Sequence, residues 1–166
     1  MRKILHIGDH LKISHYEHSP SLTLFGVSFG QDITSVKEYF KDNLMIFDDE
    51  IFTNAVSLQR GAYEYVISDN YITYPILDIE YVFNKSGQCA KMAVVDLCTR
   101  ITSPSGMRLF ADMIELLERD REYGESLFFA KGKMTKHGIE QEYIGKDFKA
   151  IIEGTNEYIK LSFYPD

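Results

Sequence analysis

The chain has 166 residues, of which 45% are hydrophobic and 26% charged, with 11 Tyr, 11 Phe and no Trp. This length fits a single domain, residues 1–166, that can bury a core without disulfide or metal staples. The net charge of −7 argues against nucleic acid as a partner, because phosphates need Lys and Arg. The sequence has no signal peptide and no apolar run that could span a bilayer, so we expect a cytoplasmic protein without a membrane partner.

The first third of the chain predicts a strand followed by a helix. Residues 22–29 are rich in aromatic and aliphatic side chains, which favours a strand that Gly30 ends. Asp32 or Thr34 can cap the next helix, because each offers a side-chain oxygen to the free N–H groups of the first turn. Apolar residues then recur at helical spacing up to a stop at Asn43.

The middle third predicts a β-hairpin. Residues 44–61 are ambiguous, since the acidic run 48–50 fits either a loop between two strands or the start of a short helix. Residues 63–67 predict a strand. In 77–83, apolar and acidic residues alternate, which indicates one buried and one solvated side. Residues 89–97 are expected to return as the partner strand.

The last third begins with a second helix and continues as strands. Ser103 caps this helix, Pro104 occupies its first turn, and Gly124 ends it. The element order predicts an α+β fold, an antiparallel β-sheet with two main helices packed on one face. The strands expected after the second helix are 127–129, 141–144, 148–152 and 158–163.

Two cysteines are too few for a disulfide framework, and their spacing fits no zinc pattern. Cys89 and Cys98 both stand among apolar residues, so we predict buried free thiols in a reducing compartment.

Four of the five histidines lie close together near the N-terminus. Imidazoles are common metal ligands, so a metal-responsive binding module is one reading of this cluster. The segment alternates like a strand and contains Gly8, which favours solvated surface histidines and no bound metal. The four residues are His6, His10, His15 and His18.

No catalytic constellation is assembled in the sequence. Asp78 and Glu80 share one strand face at a separation of about 6–7 Å, as in glycosidases, but no Trp platform accompanies them. The basic segment 131–136 is typical of a solvated hairpin loop. We therefore predict a protein that is not an enzyme and needs no cofactor. The alternative is a small enzyme that uses His137 or the N-terminal histidines.

The sequence resembles known families in two respects. Residues 29–40 place a strand ending in Gly, a polar cap and a helix with Val at its first inward turn, which is similar to the repeat unit of β-lactamase-inhibitor-protein-like folds. The small, acidic, aromatic-rich chain resembles bacterial immunity proteins of polymorphic, contact-dependent toxin systems. That resemblance implies an inhibitor that neutralises a basic toxin, for example a nuclease, by binding it.

The negative charge is concentrated in residues 21–80, which carry ten acidic and three basic groups. Solubility is one explanation. The other is a basic protein partner that is captured electrostatically, held by aromatic anchors and occluded. The predicted partner-binding residues are acids and tyrosines of this segment: Asp48, Asp49, Glu50, Asp69, Tyr71, Tyr74, Asp78 and Glu80.

Overall fold

The computed structural model describes residues 2–14, 20–118 and 127–166, with the backbone alone for 127–129. The described residues form an α+β fold, as predicted. Their helices are α1 (Ile7–His10), α2 (Ile33–Asp42) and α3 (Pro104–Glu118). The strands are β1 (Lys3–His6), β2 (Leu11–Ile13), β3 (Leu22–Leu24), β4 (Val27–Ser28), β5 (Phe47–Glu50), β6 (Ala55–Leu58), β7 (Tyr63–Val66), β8 (Thr73–Tyr74), β9 (Asp78–Phe83), β10 (Cys89–Asp96), β11 (Leu127–Thr135), β12 (Gly138–Gly145), β13 (Phe148–Thr155) and β14 (Ile159–Pro165).

Eight strands form one large antiparallel sheet in the order β11-β12-β13-β14-β10-β9-β6-β5. The prediction of a single antiparallel sheet missed two smaller sheets, β1-β7-β8 and β2-β3-β4. In the first of these, β1 runs parallel to β7, with Leu5 opposite Tyr65. This pairing joins segments about sixty residues apart, which local sequence patterns do not reveal.

The large sheet has an inner and an outer face, which β9 defines. Ile79, Tyr81 and Phe83 are buried and form the inner face, while the half-buried Asp78, Glu80 and Val82 belong to the outer face. This is the alternation that the sequence predicted. The hydroxyl of Tyr81 donates to the backbone oxygen of Leu24 at 2.7 Å, which fixes the β2-β3-β4 sheet against the inner face.

Both long helices contact the large sheet. The Phe40 ring of α2 lies 5.6 Å from the ring of Tyr81. The Phe110 ring of α3 packs against Gly154 of β13, because a Cβ added to Gly154 would lie 3.0 Å from this ring. Tyr81 and Gly154 are both buried inward positions of their strands.

The predicted caps of the two long helices are confirmed. Asp32 accepts a hydrogen bond from the backbone N–H of Thr34 at 3.0 Å, and Asn43 is the C-cap of α2. The hydroxyl of Ser103 accepts from the backbone N–H of Gly106 at 3.0 Å at the start of α3. The predicted stop at Gly124 lies outside the described residues.

The prediction of one strand over 22–29 is wrong, because the chain reverses at Phe25 and Gly26. Both residues have positive φ, 51° and 81°, which makes a tight turn between β3 and β4. Glycine suits position 26 because a φ of 81° strains other residues, and a Cβ there would also displace the Tyr39 ring, whose hydroxyl oxygen would be 2.0 Å away. The turn is hard to read from sequence because Phe25 is apolar and buried.

Neither alternative for the acidic run 48–50 is correct, because the run is itself strand β5. Its inward Phe47 packs at 5.8 Å against Phe40 of α2, and the strand continues in register with β6. A 3-10 turn, Ile51–Thr53, and a left-handed Asn54 then return the chain into β6.

The C-terminal strands are longer than predicted. The segment 131–136 is not a loop, because β11 extends to Thr135 and pairs with β12. Lys131 and Lys133 stand opposite Glu142 and Glu140, so charge pairing stabilises the strand whose many lysines made it look like a loop.

Candidate protein-binding surface

Strand β5 divides the predicted acidic run between the two faces of the sheet. Asp48 and Glu50 lie opposite Ser57 and Ala55, which belong to the outer face. Asp49 lies on the inner side, where its carboxylate forms a salt bridge with Lys37 of α2. Only two of the three acids are therefore presented on the outer face.

The acids of β9 also lie on the outer face, but they differ in their partners. The carboxylate of Asp78 accepts a bidentate hydrogen bond from the guanidinium of Arg60, and this contact raises the pKa of the guanidinium. Glu80 is aligned with Ser57, and Ser57 is aligned with Asp48. Asp48 and Glu80 are thus two strand spacings apart, roughly 9–10 Å. Among the described residues, no cationic side chain forms a salt bridge with either.

The opposite half of the outer face carries acids that are paired. Glu153 of β13 lies 3.7 Å from Lys160. On β12, Glu140 lies 3.7 Å from Lys133 and Glu142 lies 3.6 Å from Lys131. Cross-strand pairing leaves this half close to electrical neutrality, so the unbalanced negative charge of the outer face lies at the β5 end.

Exposed apolar side chains flank the acids of β5. Ile51 and Phe52 are 82% and 104% exposed at the tip of the β5–β6 hairpin, and Ile46 directly before β5 is 53% exposed. We define the β5 edge as Ile46, Asp48, Glu50, Ile51 and Phe52. Sequence reasoning noted these apolar residues only as neighbours of the acidic run, because apolar character by itself predicts burial.

The remaining predicted residues, Asp69, Tyr71 and Tyr74, lie in or beside another sheet, β1-β7-β8. Asp69 and Tyr71 are exposed in the connection from β7 to β8, and Tyr71 has a left-handed φ of 60°. Tyr74 is buried, so its ring is not offered to a partner. The structure therefore does not unite all eight predicted residues in one surface.

Tyr74 instead belongs to a polar junction between β8 and α3. The carboxylate of Asp112 is buried and accepts hydrogen bonds from the hydroxyls of Tyr74 and Ser68 and from the side-chain amide of Asn70. Burial and this contact with Asp112 raise the pKa of the Tyr74 hydroxyl. A cavity of about 270 Å³ lies beside Tyr74 and Arg108. The buried carboxylate accepts three hydrogen bonds from its own chain, which indicates a structural role.

The N-terminal histidines are placed differently from the prediction. Residues 7–10 form the helical turn α1 rather than a continuous strand. His10 stacks on Phe25 with ring centroids 4.6 Å apart, and burial lowers the pKa of its imidazole. His15 and His18 lie outside the described residues. Among the residues with a described position, no three His, Cys, Asp or Glu side chains form a metal-binding group.

The enzymatic alternative concerns His137 and the N-terminal histidines. His137 is exposed in the β11–β12 turn beside a cleft of about 410 Å³ that Thr155 also lines. The Thr155 hydroxyl already accepts from the backbone N–H groups of Glu157 and Tyr158. This cleft is lined by no cysteine.

The two cysteines are free thiols, as predicted, but only one is buried. Burial raises the pKa of the Cys89 thiol to about 11, which suppresses its reactivity. Cys98 is exposed, contrary to the prediction, because it lies in the loop that follows β10. Its backbone N–H donates a hydrogen bond to the carboxylate of the buried Asp96 at 2.8 Å.

The ten acids of residues 21–80 are distributed over α2, β5, β7, β9 and loops, rather than gathered on one side. Three outer-face acids at the β5 end of the large sheet, Asp48, Glu50 and Glu80, have no salt bridge among the described residues, and the fully exposed ring of Phe52 lies at the same end. Such a combination can attract a cationic surface and then bury apolar area against it.

Comparison with known proteins identifies no relative, since no family model, curated protein or solved structure matches the chain significantly. In the part of the chain that the structure describes, no helix combines the length and the apolar character needed to cross a lipid bilayer.

Proposed function

We propose that this chain is a protein-binding inhibitor, an immunity protein that neutralises a basic toxin domain, for example a nuclease, by binding and occluding it. The observation that carries the proposal is the β5 edge, where Asp48 and Glu50 stand beside the exposed Phe52. The family resemblance and the net charge of −7 point in the same direction.

The proposed binding occurs in two steps. Negative charge at the β5 edge and on Glu80 attracts a cationic domain and raises the association rate. Phe52 and Ile51 then lose their solvent contact against the partner, and this burial slows dissociation. Glu80 and Asp48 suit the first step because they have no cation of their own chain to neutralise them among the described residues.

Partner binding at the β5 end of the outer face requires both long helices to lie on the inner face. The contacts of Phe40 with Tyr81 and of Phe110 with Gly154 support this placement. On the outer face, Glu80, Val82 and Tyr164 are half-buried and keep part of their surface in solvent, whereas Ala93, Val95 and Ser162 on the same face are buried. We place the inhibitor in the cytoplasm, in agreement with its two free cysteines.

The test begins with purification of the tagged chain from its host and identification of the co-purifying protein by mass spectrometry. That protein is then produced alone, and its affinity is measured by calorimetry. We expect a basic protein whose activity the chain inhibits. Recovery of no basic protein, or binding without inhibition, would reject the proposal.

A matched pair of charge reversals locates the binding surface. The variant Asp48→Lys/Glu80→Lys changes the unpaired half of the outer face, and Glu140→Lys/Glu153→Lys makes the same change in net charge in the paired half. We expect the first to weaken binding by roughly 30-fold or more and the second by less than about threefold. Equal losses would show that only the total charge matters.

A further inference from the structure

Strand β5 ends the large sheet, and some of its backbone hydrogen-bonding groups face away from the sheet. The backbone N–H of Gln59 donates to the oxygen of Ile46 at 3.1 Å, while the N–H of Ile46 donates to the hydroxyl of Tyr63 at 2.9 Å. The carbonyl of Ile46 thus faces the chain that leaves β6, and by alternation the backbone groups of Asp48 and Glu50 face β6. The backbone N–H and C=O groups of Phe47 and Asp49 therefore point away from β6, toward the open edge of the sheet. Among the described residues, no strand pairs with this side of β5.

The hydrogen bonds between β6 and β9 lead to the same assignment of the backbone groups of β5. The backbone N–H of Phe83 donates to the oxygen of Asn54 at 3.0 Å, so Asn54 and Val56 bond with β9. Ala55 and Ser57 must then bond with β5, and their partners there are Glu50 and Asp48. Two independent hydrogen bonds thus assign the outward groups to Phe47 and Asp49.

The side chains at this open edge select the kind of strand that can pair with it. Edge strands are commonly protected by Lys, Pro, a bulge or other charged side chains. β5 has no Lys, Pro or bulge, and its protection consists of its three acids. Pairing with a second copy would bring Asp48 and Glu50 against the same acids. A strand with basic residues at alternate positions would instead neutralise them.

We propose that the basic partner binds by strand addition, as a ninth strand beside β5. This inference rests on the proposed function and specifies how it is performed. The added strand exchanges backbone hydrogen bonds with Phe47 and Asp49. Its basic side chains stand opposite Asp48 and Glu50, which occupy the closely spaced, non-hydrogen-bonded positions of such a pair. Phe52 covers one end of the added strand.

The first test uses the peptide acetyl-Thr-Val-Arg-Val-Lys-Thr-amide as the probe, at concentrations up to about 2 mM, followed by NMR of the full chain. We expect amide shifts within residues 46–52 and slower hydrogen exchange at Phe47 and Asp49. Two control peptides carry Glu in place of Arg and Lys, or an N-methyl group on the second Val. Strand addition is overturned if the probe produces no such changes, or if either control peptide reproduces them.

The second test changes the protein at Asp49, whose N–H points away from β6. Asp49→Pro removes that donor and leaves the β5–β6 ladder intact, while Asp49→Ala removes the same salt bridge with Lys37 and keeps the donor. We expect the probe to bind at least about fivefold more weakly to the Pro variant, and within about twofold of wild type to the Ala variant. Circular dichroism and Tm verify the fold of both, and equal binding to both contradicts strand addition.

Different results would reject the inhibitor proposal and the strand-addition proposal. If Asp49→Pro binds the host partner as wild type does, while Asp48→Lys/Glu80→Lys loses it, strand addition is rejected and the inhibitor proposal stands. If no basic host protein binds the wild-type chain, the inhibitor proposal is rejected, and the peptide experiment alone decides whether β5 accepts a strand.

Discussion

Acidic side chains have opposite roles at the β8–α3 junction and at the β5 edge. Asp112 is 4% exposed and accepts hydrogen bonds from three side chains, while Asp48 is exposed and has no salt bridge among the described residues. A buried carboxylate is costly unless donors surround it, so the chain has to supply them itself. Water solvates an exposed carboxylate, which leaves it available to a partner. The partners of an acid, rather than its residue type, therefore decide its role.

The largest expected effect is a loss of stability at the β8–α3 junction that has no counterpart at the β5 edge. Asp112→Ala leaves the donors of Ser68, Asn70 and Tyr74 without their acceptor, and we expect the free energy of unfolding to fall by about 3 kcal/mol. Asp48→Ala serves as the control and should change it by less than about 0.5 kcal/mol. Urea denaturation measures both, and similar losses would abolish the distinction between the two regions.

Tyr74→Phe sharpens the assignment of Tyr74 to the junction. The variant removes one buried hydroxyl that donates to Asp112 and keeps the ring, so we expect a loss of about 1–2 kcal/mol in the free energy of unfolding. Binding of a partner should not change, because the ring is buried. If Tyr74→Phe bound the partner more weakly at unchanged stability, Tyr74 would have to be part of the binding surface.

Asp78 is an intermediate case, because its side chain is 15% exposed while that of its partner Arg60 is 61% exposed. We expect Asp78→Asn to lower the free energy of unfolding by about 0.5–1 kcal/mol. Salt screens exposed charges, so the loss should shrink in 1 M NaCl. A loss independent of salt would indicate that the pair behaves like the buried carboxylate of Asp112.

The smallest effect on stability is expected at the hairpin tip. Phe52 is fully exposed, so Phe52→Ala should change the free energy of unfolding by less than about 0.5 kcal/mol. Phe47, on the same hairpin, packs against Phe40, and Phe47→Ala should cost at least about 1 kcal/mol. Thermal denaturation compares the two variants, and a marked drop in Tm for Phe52→Ala would show that the ring serves the fold.

Local patterns predicted the elements that local chemistry builds. The caps at Asp32 and Ser103 and the alternation of β9 were correct because each depends on a few neighbouring residues. The turn at Phe25 and the strand β5 were missed. In both, residue type opposed the structure: an apolar residue occupies a turn, and an acidic run occupies a strand.

Part of the candidate surface was also predictable. Asp48, Glu50 and Glu80 were chosen for their charge, and alternation alone places Asp78 and Glu80 on one face. The inward position of Asp49, the burial of Tyr74 and the exposure of Phe52 depend on contacts with α2, with α3 and with solvent. Such contacts join residues far apart in the chain, and no local pattern encodes them.

The amino-acid sequence alone determined the α+β class, the two long helices, the β9–β10 hairpin and the excess of acid in residues 21–80, since composition and short-range periodicity are sufficient for these. Only the tertiary structure decided which acids are neutralised, which aromatic rings are exposed and which strand ends the large sheet. The physical reason is that pairing and burial are set by neighbours across strands and layers, and folding alone brings those neighbours together.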